Sequence, residues 1–185
     1  MARMVERQIN APLTSSLGRL FDAAAAVILG RRKVDYEAQA AIELEGIAVD
    51  EPERLRRMDY VPELSAPEKG SDGTNSLEIG HLWRALVDDL RRGVPKPKIA
   101  AQFHSGVAEG FITAAANARE KTGINDVTLS GGCMHNRRLA GLLRSGLEEE
   151  GFKVFQQRKV SPGDGGLSYG QAAVAAAILY IEITH

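Results

Sequence analysis

The sequence is poor in features that mark several classes of protein. Cys133 is its one cysteine, which excludes an internal disulfide and a disulfide-stabilised secreted scaffold. The 23 basic and 24 acidic side chains nearly cancel, so the chain lacks the overall basic field that holds a protein on nucleic acid. The N-terminus lacks the apolar core of a secretory signal. We therefore expect a cytoplasmic protein that binds no nucleic acid.

Long hydrophobic runs are also missing. The most apolar run, residues 172–181, has only about half of the roughly 20 residues that cross a bilayer, and its alanine content favours a closely packed helix. The remaining composition, 44% apolar and 25% charged over 185 residues, is typical of a globular protein. We expect no membrane span, and one domain over residues 1–185 with a sizeable core.

Apolar residues at helical spacing dominate the first two thirds of the chain. They predict a helix over residues 14–29, capped by one of the hydroxyl residues at 14–16 and ended by Gly30. A second helix is predicted over residues 36–44, and the weaker pattern of residues 51–64 predicts a short strand or hairpin. Proline, glycine, serine and charge concentrate in residues 62–74, which predicts an exposed loop.

The chain beyond this loop changes from helical to alternating patterns. A short strand is predicted at residues 76–79, followed by an amphipathic helix over 81–92 and a long helix over 99–121. The later elements are predicted as strand 126–130, helix 136–149, strand 153–155 and helix 167–181. This alternation predicts an α/β layer with its glycine-rich turns at the strand ends, where open α/β sheets bind ligands. We expect residues 127–130 and 153–155 to form neighbouring strands, with the turns that hold Gly132 and Asp164 on the same edge.

The first glycine-rich turn lies in the segment VTLSGGCMHNRRL. Gly131 and Gly132 follow an apolar strand directly and precede a helix that begins near Asn136. Without side chains here, backbone N–H groups can approach a phosphate or an adenosine, and a helix N-terminus favours negative charge. A tight strand-to-helix turn needs glycine for its dihedral angles alone, and this motif by itself leaves both interpretations open.

Two further motifs carry a carboxylate beside glycine. In SPGDGGLSYG, Asp164 precedes an alanine-rich helix and can either ligate a divalent metal or cap that helix. In SSLGRLFDAAA, Gly18 and Asp22 share a helix face, so a ligand can approach over Gly18 and donate its ribose hydroxyl groups to Asp22. In isolation, a surface pairing of Asp22 with Arg19 beside a packing glycine is the favoured explanation of the second motif.

The histidines and the cysteine suggest no catalytic centre of their own. The four histidines form no H-x-x-x-H pair, so any metal site drawn from this chain alone is incomplete. His104 lies within the long predicted helix, and we interpret it as a packing residue. Cys133 has no partner base in its motif, so a small apolar role at the glycine turn is favoured over a nucleophile.

Five ordered segments together resemble one known family. The segments APLTSSLGRLFDAAAA, YEAQAAIELE, FHSGVAEG, LSGGCMHNRRL and SPGDGGLSYGQAAVA, spanning about residues 10–177, are similar to the C-terminal part of HypF, the carbamoyltransferase of nickel–iron hydrogenase maturation. The resemblance implies a ribonuclease-H-like lobe of the actin-like ATPase group, an α/β fold with a mixed sheet and packed helices. It implies that this chain is essentially the second lobe of the carbamoyltransferase domain.

The resemblance also implies a chemistry and its ligands. Full-length members use ATP and carbamoyl phosphate to make carbamoyl-adenylate, and pass the carbamoyl group to the C-terminal cysteine of a partner, HypE. By motif, Gly18 and Asp22 would contact the ribose with Glu43 as a helper, while Gly131, Gly132 and Asn136 would line the adenosine and phosphates. Asp164 would be a ligand of a divalent metal, whether zinc, iron or magnesium, in a site that this chain leaves incomplete.

Departures from the family pattern leave the activity of the chain alone open. The family's His-His-x-Ala-His metal motif belongs to the first lobe and is absent from this sequence, and Ala38 stands where a glycine is usual. A first-lobe chain or a homodimer would then complete the molecule. The alternatives are an inactive module that binds a partner or a second copy through exposed apolar surface, and a threonylcarbamoyl-transfer relative acting in tRNA modification.

Overall fold

Helices make up most of the fold. The computed structural model describes residues 2–7, 9, 11, 12, 14–52, 57–66 and 75–184. The helices are α1 (Ala2–Glu6), α2 (Leu17–Leu29), α3 (Gln39–Ile47), α4 (Gly80–Arg91), α5 (Lys96–Thr122), α6 (Arg137–Glu149) and α7 (Leu167–Thr184). The strands are β1 (Glu63–Ser65), β2 (Ser76–Glu78), β3 (Asp126–Leu129) and β4 (Lys153–Gln156). This arrangement confirms the predicted α/β class, with small sheets and packed helices.

The strands form two separate pairs in the described part of the chain. β1 and β2 are antiparallel, with Leu64 opposite Leu77. β3 and β4 are parallel, with Val127 opposite Val154. The second pairing confirms the prediction that these two strands are neighbours. Because parallel strands end at the same side of a sheet, the turns that follow β3 and β4 start from one edge.

The core is built around α5. Every residue from 99 to 108 on this helix is buried, so neighbours surround this part of α5 on all sides. α2, α3, α4 and α6 pack against it, and Phe21 of α2 meets Phe103 edge to face with ring centroids 5.1 Å apart. β3 and β4 add Val127, Leu129 and Val154 to the margin of this core.

A buried carboxylate on α4 holds the segment that crosses α5, residues 57–62, in place. The side chain of Asp89 on α4 accepts hydrogen bonds from the hydroxyl of Tyr60, at 3.0 Å, and from Arg57 and Arg92. Burial raises the pKa of Asp89, but the hydrogen bonds from Arg92, Tyr60 and Arg57 outweigh burial and hold the pKa below its usual value. The carboxylate is therefore ionised and fully partnered, and it fixes the backbone around Tyr60.

Two glycines of α5 let that segment lie against the helix. A methyl group on Gly106 would collide with the backbone carbonyl of Tyr60, and one on Gly110 would lie 3.1 Å from the ring of Pro62. Neither glycine needs an unusual backbone conformation. The glycines of the FHSGVAEG segment are thus explained by close packing.

The structure corrects two sequence-based boundaries. The loop predicted over residues 62–74 contains β1, because Leu64 pairs with Leu77; residues 67–74 lie outside the described part. The second helix begins at Gln39, later than predicted, because Ala38 adopts the left-handed conformation with φ 62°. A glycine, which the family resemblance implies at this position, would adopt that conformation without strain.

The last helix, α7, is exposed along all of residues 167–180. Its sequence from 167 to 180 is largely apolar, yet every residue in this stretch is exposed, including Tyr169, Val174 and Leu179. Within the residues that the structure describes, no helix is long and apolar enough to cross a membrane. α7 therefore presents a large apolar surface of the kind that usually marks an interaction site.

Candidate functional site

Two glycine-rich turns are joined at the carboxyl ends of β3 and β4. The backbone N–H of Gly131, after β3, donates to the carbonyl oxygen of Pro162, after β4, at 2.7 Å. The hydroxyl of Ser130 lies 3.3 Å from the same oxygen. This contact confirms the prediction that the turns holding Gly132 and Asp164 lie on one edge of the sheet.

The backbone of the first turn requires glycine and leaves open space. Gly131 has a φ of 101°, a region that side chains strongly disfavour. A Cβ built on Gly131 or Gly132 would meet no atom within 4 Å. The space that a side chain at either glycine would occupy is therefore open, and a ligand can approach the backbone there.

The second turn packs directly on the first. A Cβ on Gly163 would lie 3.3 Å from both the Cα of Gly132 and the Nε2 of His135, a spacing tighter than most real Cβ contacts. The hydroxyl of Ser161 is 3.1 Å from His135 Nε2. The glycine at 163 thus lets the two turns form one continuous surface.

The helix α2 borders this surface through Gly18. A Cβ on Gly18 would lie 3.8 Å from the sulfur of Cys133 in the first turn. The hydroxyl of Ser16, one of the three predicted caps, accepts the backbone N–H of Arg19 and begins the helix. Asp22 and Arg19 are 3.4 Å apart on the helix surface. Both side chains remain partly exposed, so Asp22 stays accessible to a ligand.

Cys133 is a neutral thiol in this environment. Burial raises its pKa, and the negative charge of Asp22 raises it further. A thiol is a far weaker nucleophile than a thiolate. This agrees with the interpretation of Cys133 as a small packing residue at the turn.

Asn136 ends the first turn and uses both polar atoms of its side chain within the protein. Its Oδ1 accepts the backbone N–H of Leu139 at 2.8 Å, which caps α6. Its Nδ2 lies 3.0 Å from Nε2 of the buried His104. The residue predicted to line a nucleotide is thus also the junction between the glycine turn, α5 and α6.

The N-terminus of α6 already holds a carboxylate of the protein. Glu45 of α3 accepts hydrogen bonds from the backbone N–H groups of Arg137, at 2.8 Å, and Arg138, at 3.3 Å. The first three backbone donors of α6 are therefore satisfied by Glu45 and Asn136. Sequence reasoning missed Glu45, since a contact across 92 positions leaves no local signal in the sequence.

Glu43 lies on the other side of α3. Two residues correspond to about 200° around a helix, so Glu43 faces away from Glu45 and α6. Its carboxylate accepts hydrogen bonds from Arg31, at 2.6 Å for Nε, and from Gln39 at 3.0 Å. The hydrogen bond from Arg31 lowers the pKa of Glu43. Glu43 therefore braces the loop after α2 in this structure.

Asp164 is exposed at the start of the short helical turn before α7. Across the described ranges, no three side chains of the histidine, cysteine, aspartate and glutamate types are grouped closely enough to hold a metal ion. Asp164 can offer one carboxylate ligand. The residues present do not make a complete metal site.

The sequence and fold match one family of carbamoyltransferases. Residues 1–171 match the model of the second subdomain of the Kae1-like domain of a carbamoyltransferase. The chain is 39% identical to the carbamoyltransferase HypF homolog of Cupriavidus necator over 95% of its own length, and 34% identical to the carbamoyltransferase HypF of Rhodobacter capsulatus over 96%. It covers 44% and 22% of those two proteins.

The solved structures extend this match to three dimensions. A crystal structure of full-length HypF in a phosphate- and nucleotide-bound form superimposes with a TM-score of 0.79 at 36% identity, over 96% of this chain and 22% of that one. The chain thus spans less than half the length of these relatives. Because the family model matches nearly the whole sequence, the chain belongs to the HypF carbamoyltransferase family, as the second subdomain of its Kae1-like domain.

Proposed function

We propose that this chain is the nucleotide-binding second lobe of a HypF-type carbamoyltransferase. With a first lobe, it transfers the carbamoyl group of carbamoyl-adenylate to the C-terminal cysteine of a HypE-like acceptor. The main support is the junction of the two glycine turns at the carboxyl ends of β3 and β4. In α/β folds, ligands bind at such strand ends, where backbone can approach a phosphate without side chains between.

The polar groups around the junction suit an adenosine nucleotide. Gly132 leaves open space above the backbone for the ligand. Asp22, on the face of α2 that also carries Gly18, can accept two hydroxyl hydrogen bonds from a ribose. Because Glu45 and Asn136 occupy the first donors of α6, we assign phosphate contact to the backbone of the turn and not to that helix end.

We propose that this chain supplies only part of a metal site. Asp164 offers one carboxylate, and the described residues supply no group of three ligands. The remaining ligands would come from another polypeptide segment, such as the first lobe. No chemical step is assigned to a metal held by this chain alone.

The exposed apolar surface of α7 supports a partner lobe or a second copy. Tyr169, Val174 and Leu179 are 63%, 61% and 57% exposed on a helix with almost no charge. Leaving such a surface in water costs free energy that a partner recovers, at about 25 cal/mol per Å² of apolar area covered. We favour the first lobe as the partner, because the matched family model describes a second subdomain.

A second candidate function uses the same helix. If α7 pairs with α7 of another copy, the chain is a dimerisation or protein-binding module without catalysis. The concentration dependence of the mass in solution separates these cases. A stable dimer that excludes an added first lobe favours the module, whereas a monomer that forms a one-to-one complex with the first lobe favours the transferase.

Carbamoyl transfer by the reconstituted pair tests the function itself. Preformed carbamoyl-adenylate and a peptide ending in cysteine are mixed with this chain, with a first lobe, and with both. We expect S-carbamoyl cysteine (a thiocarbamate) on the peptide, with release of AMP, only when both lobes are present. Transfer at the same rate by the first lobe alone would overturn the proposed role of this chain.

The chain alone should form no carbamoyl-adenylate. It lacks the first-lobe metal motif and spans only part of its relatives, so we expect no exchange of pyrophosphate into ATP in the presence of carbamoyl phosphate. Radiolabelled pyrophosphate provides the assay. Exchange that depends on carbamoyl phosphate, with purified chain, would contradict the division of labour proposed between the lobes.

A further inference from the structure

The buried histidine of α5 contacts two elements that border the candidate site, the end of the first glycine turn and the helix α2. His104 is fully buried, and its Nδ1 lies 2.7 Å from the carbonyl oxygen of Ala100. Its Nε2 lies 3.0 Å from Nδ2 of Asn136, at the end of the first glycine turn. Its ring also packs edge to face against Phe21 of α2, with centroids 5.1 Å apart.

The hydrogen-bond partners specify one protonation state of this ring. The carbonyl of Ala100 can only accept, so Nδ1 of His104 carries the proton. Nε2 then has a lone pair, and the amide nitrogen of Asn136 must donate to it. This orients Oδ1 of Asn136 toward the backbone N–H of Leu139, which it caps at 2.8 Å. Each assignment agrees with the next.

The chain of contacts reaches the glycine turn directly. The backbone N–H of Asn136 donates to the carbonyl of Cys133 at 3.1 Å, so the orientation of Asn136 fixes the end of the turn. On the other side of His104, Phe21 precedes Asp22 and shares α2 with Gly18. His104 therefore connects the two sides of the proposed nucleotide site, the glycine turn and the face of α2 that carries Gly18 and Asp22.

We propose that His104 is a positioning residue that sets the glycine turn, through Asn136, against the Gly18 and Asp22 face of α2. The inference rests on the proposed function only in taking this cleft as the nucleotide site. His104 itself is fully buried, so it acts through Asn136. Its role is to hold Asn136 by accepting a hydrogen bond at the Nε2 position.

Two substitutions separate this role from simple packing. In His104→Gln, the side-chain oxygen can reach the position of Nε2 and accept from Asn136. In His104→Asn, the shorter amide can reach only the position of Nδ1, so the donor of Asn136 loses its partner. Both variants replace a buried ring with a smaller side chain and lose the contact with Phe21. If His104 served only in packing, the two variants would therefore change the exchange of all nearby backbone N–H groups to a similar extent, or in proportion to the volume lost.

Hydrogen exchange on the full chain is the first measurement. We expect His104→Asn to speed exchange of the Leu139 amide by about tenfold or more relative to the Val107 amide, which reports global opening, and His104→Gln to stay near wild type. Nitrogen NMR of wild type should find the ring proton on Nδ1. Equal Leu139 exchange in the two variants, or a proton on Nε2, would overturn the positioning role.

ATP binding with magnesium is measured on the same three proteins. We expect His104→Asn to weaken binding by about tenfold or more, and His104→Gln to restore most of the wild-type affinity. Equal affinity in both variants with unequal Leu139 exchange would remove the link to the ligand and overturn the inference as stated. Absence of binding in wild type would instead count against the nucleotide site, while the exchange data still decide the positioning role.

Discussion

The backbone N–H of Gly131 donates to the carbonyl oxygen of Pro162 over 2.7 Å, and this bond closes the two glycine turns into one surface. Both turns follow strands that run in the same direction, which is why they meet. Gly18 and Asp22 of α2 border the same surface through Cys133. The candidate site is thus formed by this edge of the sheet together with the helix α2.

The close crossing at Gly106 should control stability. A methyl group there would collide with the backbone carbonyl of Tyr60, which the buried Asp89 network holds in place. We expect Gly106→Ala to lower the free energy of unfolding by about 2–3 kcal/mol. Urea denaturation measures the change.

Gly46 provides the matched control. It lies exposed in α3, and a Cβ there would meet no atom within 4 Å. Because alanine favours helix over glycine, Gly46→Ala should raise the free energy of unfolding by about 0.5 kcal/mol. A loss of equal size in both variants would contradict the assignment of Gly106 as a packing glycine.

Replacing the strained residue before α3, Ala38, with glycine should stabilise the protein. Ala38 has a φ of 62°, which costs a residue with a side chain about 1–2 kcal/mol. Ala38→Gly relieves this strain, but the greater freedom of glycine in the unfolded chain offsets part of the stabilisation. We therefore expect a net increase in the free energy of unfolding of about 0.5–1 kcal/mol.

The exposed helical Ala26 serves as the comparison for Ala38. Ala26→Gly carries the same entropy cost without relief of strain, and should destabilise by about 0.5–1 kcal/mol. Thermal denaturation of the two variants should therefore move in opposite directions. A lower melting temperature for both would show that Ala38 is not strained in solution.

Stability should fall as the pH drops below neutrality because of His104. Burial, together with the charge of Arg138, lowers its pKa to about 4 from an ordinary value of 6.5. The unfolded chain therefore binds this proton between pH 6.5 and 4, while the folded chain does not. Folding loses about 3 kcal/mol across that window, of which about 1 kcal/mol lies between pH 7 and 5.5.

Comparison with His104→Gln isolates this contribution. The variant keeps the other titrating groups but has no imidazole, so the loss between pH 7 and 5.5 should be smaller by about 1 kcal/mol than in wild type. Urea denaturation at the two pH values gives the difference. Parallel pH profiles would mean that His104 is protonated in the folded state.

The sequence predicted those parts of the fold that depend on local patterns. Apolar spacing and caps gave α2, α6 and α7 within a few residues, because both are properties of neighbouring positions. A short strand or hairpin was predicted within residues 51–64, but β1 continues to Ser65 inside the predicted loop, since three residues become a strand only when Leu64 pairs with Leu77. Ala38 was noted as a departure from the family pattern, but its left-handed backbone was visible only in the structure.

The candidate site could likewise be predicted only where it depends on local motifs. The motifs identified both glycine turns, and the alternation of strands and helices placed them on one edge. Glu45 and the pairing of His104 with Asn136 could not be predicted, because those contacts join positions 92 and 32 residues apart. Such contacts depend on how whole helices pack, which local sequence does not encode.

Calorimetric titration with ATP and magnesium tests the central claim most directly. We expect weak binding by wild type, because one lobe supplies one wall of the cleft, and a further loss of about ten- to a hundredfold in Asp22→Ala from the missing ribose hydrogen bonds. Gly132→Val should lose at least as much by filling the open space above the turn. Asp88→Ala, an exposed position on α4, should bind as wild type does. Equal binding by all four proteins, or binding by none, would contradict the nucleotide site.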